Sequence, residues 1–213
     1  MKNTLINNIF SFGILLIALN LISCSEEPSG LSHSQAEGVR WPDSELSAAE
    51  YQNWVKNVDN GFTSKKSFDE IEIAAVYVPA ELKAIRELGP EAADKTKLNA
   101  AINNYTELEF YELTITMPRF NDEALKYNLS SQEEYQHRIE YYSFHANADA
   151  LLVLEGDTVK CPVHSWERTY NGTNKIVLSL AFPAEELKNK RQVTRELIYT
   201  DAIYGLGPLH FRF

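Results

Sequence analysis

The chain has 213 residues, 44% hydrophobic and 23% charged, and its 20 Lys and Arg against 30 Asp and Glu leave a formal net charge of −10. This is enough apolar sequence to bury a real core in one domain or two small ones. The acidic balance argues against nucleic acid as a partner and does not favour anionic lipid headgroups.

The chain opens with Lys2 and an 11-residue apolar run from Ile9 to Leu19. That length suits a signal-peptide core and falls short of the roughly 18–20 residues needed to cross a bilayer. Leu21-Ile22-Ser23-Cys24 follows. It resembles the lipobox of bacterial lipoproteins, and the resemblance implies cleavage before Cys24, diacylation of its thiol and acylation of the new amino end. Ser25-Glu26-Glu27 resembles the acidic export signal of Bacteroidota lipoproteins. It implies an outer-membrane lipid anchor at the cell surface; the periplasmic side is the alternative. Loss of residues 1–23 removes Lys2 and no acid, which takes the charge from −10 to −11. With Cys24 lipidated, Cys161 has no partner within the chain, so the expected fold has no disulfide.

Residues 24–45 read as the lipidated cysteine and a flexible tether, polar and without apolar period. About twenty residues reach at most about 60–70 Å. Trp41-Pro42 is the expected first docking point on the folded domain, residues 46–213.

Ser47 to Glu50 is a capping-box pattern, followed by Tyr51, Trp54, Val55 and Val58 at helical spacing and the stop Asn60-Gly61. Ile71, Ile73, Ala75 and Tyr77 alternate as a strand that Pro79 ends, and Ala80 to Leu88 reads as a helix stopped by Gly89-Pro90. Residues 91–103 are weakly helical. A long strand runs from about Thr106 to Met117, with an apolar phase that slips near Phe110, which predicts a bulge there. Ser130 to Glu133 is a second capping-box pattern opening a helix to about Phe144, with Tyr135, Ile139 and Tyr142 on one face.

Gly156-Asp157 and Asn171-Gly172 are two-residue hairpin signals. They predict a meander over residues 150–182, in which Leu152 opposes Cys161 and Leu154 opposes Val159. Across the second turn Cys161 opposes Phe182, Val163 opposes Leu180 and Ser165 opposes Leu178. His164, Trp166, Arg168 and Tyr170 then share the opposite, outward face. A helix is expected from Ala184 to Lys190, then a strand over 196–200 and a final strand ending at Phe213. The expected class is α+β, a mostly antiparallel sheet with the meander at its centre and helices packed on one side.

Cys161-Pro-Val-His164 has the residue types of a metal or nucleophile site, but residues three apart on a strand point to opposite faces. His137 and His145 share a helix face about 12 Å apart, too far for one metal. Glu70/Glu72 and Glu107/Glu109/Glu112 have strand spacings that suit glycoside hydrolysis, where two carboxyl groups lie about 5–10 Å apart. Any polar strand face has the same spacing. No catalytic residue, metal or cofactor is therefore expected. The sequence supports a membrane-anchored envelope lipoprotein with a non-enzymatic binding or accessory role, for a protein or glycan partner, such as an outer-membrane complex. Its expected binding face carries His164, Trp166, Arg168 and Tyr170. The second reading is a carboxylate-dependent hydrolase acting on glycans.

Overall fold

The computed structural model describes residues 39–168, 173–183 and 193–213. Cys24, the signal region, most of the tether, Tyr170, the Asn171-Gly172 pair and the helix expected over 184–190 lie outside the described residues.

Helix α1 (Ala48–Lys56) begins where its capping box requires, Glu50 Oε2 accepting from the Ser47 N–H at 2.9 Å. Ahead of it, Val39, Trp41 and Leu46 already pack against the core. The Trp41 ring meets Phe62 edge-on at 5.3 Å, and the Trp54 indole donates to the Arg40 carbonyl at 2.8 Å.

Strand β1 (Thr63–Phe68) has no counterpart in the sequence expectations. It is an edge strand reading Thr-Ser-Lys-Lys-Ser-Phe, and edge lysines remove the apolar alternation by which strands are recognised. Strand β2 (Ile71–Val78) buries Ile71, Ile73, Ala75 and Tyr77. Pro79 then opens α2 (Ala80–Leu88). The weakly helical stretch contains α3 (Lys95–Asn103), capped by the Asp94 carboxylate, which accepts from the Thr96 and Lys97 N–H groups.

Strand β3 (Leu108–Thr116) pairs with β2 residue by residue and has no bulge. The apparent slip has another cause. Glu109 takes an inward position at 1% exposure, in phase with buried Tyr111, Leu113 and Ile115. A buried carboxylate, read as polar, had broken the apolar pattern.

After the stretch around Tyr127 comes α4 (Gln132–Glu140). Its N-cap is Ser131, which accepts from the Glu134 N–H, one residue later than the expected Ser130–Glu133 box. The helix then widens into a π turn over Tyr141–His145. The extra residue turns both Tyr141 and Tyr142 inward, whereas regular helical spacing put Tyr141 on the face of His137 and His145.

Strands β4 (Ala150–Leu154) and β5 (Asp157–Lys160) form a hairpin with Leu154 opposite Asp157. The turn residues are Glu155 and Gly156, at φ 51° and 95°, as a tight hairpin turn of the primed type demands. The register is thus two residues from the expected one, Leu152 facing Val159, and the inward face is the same.

The chain next changes sheet at Cys161-Pro162. Strand β6 (Val163–Trp166) joins β7 (Lys175–Pro183), so the 150–182 segment is divided between two sheets. Strand β8 (Arg195–Asp201) and β9 (Gly207–Arg212) complete the architecture. One antiparallel sheet has the order β1-β2-β3-β7-β6 and the other β5-β4-β8-β9, which makes the fold α+β.

The two sheets share one core, rich in aromatic residues. Phe62, Tyr111, Tyr142, Phe182, Tyr199 and Phe211 are all essentially fully buried. Helix α2 covers the outer face of the larger sheet, where Lys83 sits over Phe110 and Arg86 pairs with Glu112 at 3.0 Å. Between the sheets lies an ion pair with no exposure on either side chain. Arg195 Nε donates to Glu109 Oε2 at 3.0 Å and Nη2 to Oε1 at 3.3 Å. The guanidinium lies 4.5 Å from the Tyr77 ring centroid, and its Nη1 donates to the Val193 carbonyl at 2.8 Å. Phe213 is buried against Tyr77 and Tyr111 nearby. Among the described residues no helix is long and apolar enough to cross a membrane.

Candidate functional site

The expected binding face does not point outward as a set. β6 pairs with β7 as Val163–Ala181, His164–Leu180, Ser165–Ser179 and Trp166–Leu178, one residue from the expected register. A one-residue slip exchanges the two faces of a strand. His164 and Trp166 therefore lie on the side of buried Leu180 and Leu178, while Val163 and Ser165 face outward. His164 Nε2 donates to the Tyr142 carbonyl at 2.9 Å, and the Trp166 ring packs on Tyr142 at 5.8 Å. Arg168 is exposed beside Tyr135. The crevice that Trp166 and Arg168 line holds about 10 Å³, room for one water at most. Tyr170 lies outside the described residues. Substituting Trp166→Ala is accordingly expected to cost about 2 kcal/mol, roughly half the loss of a fully buried tryptophan. Chemical denaturation measures it, and an unchanged midpoint would return Trp166 to the surface.

The Cys161/His164 pair is also resolved into separate roles. The Cys161 thiol donates to the Val163 carbonyl at 3.1 Å, and burial pushes its pKa up, away from the reactive thiolate. Of the strand glutamates, Glu72 and Glu107 are exposed, Glu112 pairs with Arg86, and Glu109 is sealed against Arg195. Glu70 lines a cavity. Among the described residues no group of three or more His, Cys, Asp or Glu is placed to hold a metal ion.

That cavity is a cleft of about 860 Å³ assembled from distant segments. The β1–β2 turn supplies Phe68, Asp69 and Glu70. The stretch after β3 supplies Arg119, Tyr127 and Asn128. Helix α4 supplies Glu134 and Arg138, and the β8–β9 loop supplies Ile203, Tyr204 and Leu206.

Arg138 holds these parts together. It is 3% exposed, and its Nη1 donates to the carbonyls of Leu125 and Tyr127 at 2.9 and 2.7 Å. Its Nη2 donates to Glu134, and its guanidinium lies 5.3 Å from the Tyr204 ring centroid. The β8–β9 loop is pinned from below. Buried Asp201 accepts from the Tyr204 and Leu206 N–H groups at 2.7 and 3.1 Å, and the Tyr204 hydroxyl donates to the Ala124 carbonyl. Across the cleft the Tyr127 hydroxyl donates to Glu70. Tyr127 and Tyr204 rings meet at 6.2 Å, with Phe120 edge-on behind Tyr127.

Hydrogen bonds from the Ser130 hydroxyl and N–H, then from Arg138, hold the Glu134 carboxyl down at about 2. Its folded pKa lies below the ordinary 4.5, so its contribution to stability is complete above pH 4.5 and is lost as pH falls towards 2. In urea melts across that window, the wild-type midpoint should fall more steeply than that of Glu134→Gln. Parallel profiles would remove this linkage.

Sequence reasoning missed Arg138, Tyr127 and Tyr204. A Glu134–Arg138 spacing of four on a helix reads as an ordinary solvated pair; burial of Arg138 by the β8–β9 loop is what changes its meaning. In comparisons with known proteins the chain matches no family model, no curated protein and no solved structure.

Proposed function

We propose that this chain is a lipid-anchored protein of the bacterial outer membrane, displayed at the cell surface, whose folded domain binds a protein or glycan partner and catalyses no reaction. The anchor rests on Leu21-Ile22-Ser23-Cys24 and the acidic residues behind it. The binding role rests on the cleft, whose volume of about 860 Å³ falls in the range of small-ligand sites, roughly 300–1,000 Å³.

The observation that favours binding over carboxylate hydrolysis is the state of Glu134. A glycoside hydrolase needs a carboxylic acid kept protonated near neutral pH, with its pKa raised. Glu134 is driven the other way, ionised and tied to Arg138. Glu70, the other cleft glutamate, is bonded to Tyr127. Held in this way, Glu134 is not the proton donor that such a hydrolase needs.

The test is an assay for reducing ends released from a panel of polysaccharides by the purified full chain. No release above the blank is expected. Release that disappears in Glu134→Gln or Glu70→Gln would overturn the reading in favour of the hydrolase.

A further inference from the structure

We propose that the cleft between the β1–β2 turn, α4 and the β8–β9 loop is a site for a neutral, hydroxyl-rich ligand, a short stretch of uncharged glycan. This rests on the binding role above and narrows it to one class of partner.

Charge comes first. Three carboxylates and two guanidiniums line the cleft, and Glu134 and Arg138 neutralise each other. The remaining Asp69 and Glu70 outnumber Arg119, which disfavours a phosphorylated, sulfated or carboxylated ligand. A strongly cationic ligand finds little net charge either, because Arg119 offsets one of the two remaining carboxylates.

Hydrogen-bonding capacity comes next. Asp69 and Glu70 accept, Arg119 donates, and Asn128 does both. A mixed set of this kind matches sugar hydroxyls, each of which is donor and acceptor at once. The apolar part of the wall joins three aromatic rings, Phe68, Tyr127 and Tyr204, to the aliphatic Ile71, Ile203 and Leu206, and the rings suit the C–H faces of a pyranose.

Arg138 fixes the backbone at Tyr127, and Asp201 fixes the loop that carries Tyr204. Both aromatic walls are set before a ligand arrives, which lowers the entropic cost of weak sugar contacts. Asn128 adopts φ 49°, a left-handed conformation that asparagine tolerates better than most residues.

The experiment uses the full chain in a detergent without a sugar headgroup. It is screened on arrayed neutral oligosaccharides (glucans, mannans, xylans and galactans), with oligogalacturonate, heparin and oligolysine as charged probes. The best neutral binder is then titrated by calorimetry. Binding of at least one neutral oligosaccharide is expected, with Kd on the order of micromolar to millimolar. Tyr127→Ala should weaken it at least tenfold. Asp69→Ala and Arg119→Ala, both at exposed positions, should weaken it several-fold without shifting the melting curve, which keeps the test decisive if Tyr127→Ala unfolds.

Retention of only charged probes would overturn the proposal, as would titrations unchanged in all three variants. Capture of a protein partner by cross-linking on intact cells, lost in the same variants and without oligosaccharide binding, would overturn the glycan assignment and leave the binding role standing. No oligosaccharide binding and no variant-sensitive capture would overturn both.

Discussion

Glu109→Leu should destabilise the protein by about 3–5 kcal/mol, the cost of leaving a buried cation without its partner. Both side chains have no exposure, so water cannot replace the lost carboxylate on Arg195. The loss is a large share of the 5–15 kcal/mol that typically holds a domain together. The Tyr77 ring face and the Val193 carbonyl soften it without cancelling the charge. The double variant Glu109→Leu/Arg195→Met removes both charges and should recover most of the loss, because an apolar replacement of similar volume is often neutral. Denaturant melts of both single variants and the double variant give the coupling energy. Additive losses would mean that the two residues do not act as a pair. The pair also has a conformational consequence. It joins β3 of one sheet to β8 of the other, and the partners are 86 residues apart in sequence. Slippage of either sheet would unpair both charges at once, so the bridge selects one arrangement of the sheets.

Cys24→Ala should move the protein from the membrane fraction to the soluble one. Acyl chains contribute about 0.8 kcal/mol per buried methylene, and two or more chains give stable anchoring where one gives only reversible binding. Among the described residues no helix is long and apolar enough to span a bilayer. The surface is acidic as well, which favours neither leaflet's anionic headgroups. Fractionation in carbonate buffer reads the effect, and unchanged sedimentation with membranes would remove the lipoprotein proposal. Protease added to intact cells separates the two locations, with degradation expected for display at the cell surface and protection for the periplasmic side.

The sequence by itself determined the features that depend on near neighbours. The α1 capping box, the Pro79 boundary between β2 and α2, the alternation of β2 and the existence of a hairpin near 156 all follow from dihedral preferences and hydrogen bonds spanning a few residues. Even here positions moved slightly, by one residue at Ser131 and by two in the β4–β5 register, because neighbouring residues offered nearly equal chemistry. Tertiary structure alone decided three things. It set the β6–β7 register, in which His164 and Trp166 turn inward to meet Tyr142 from another element. It made Glu109 a core residue by delivering Arg195 to it; without that partner a glutamate on a strand reads as exposed. It built the cleft from four separated segments, around an arginine whose burial depends on a loop some sixty-five residues later in the chain. The physical reason is common to all three. Burial changes the free energy of a polar side chain by more than any local propensity does, and burial is a property of what packs over a residue, not of the residues beside it in the chain.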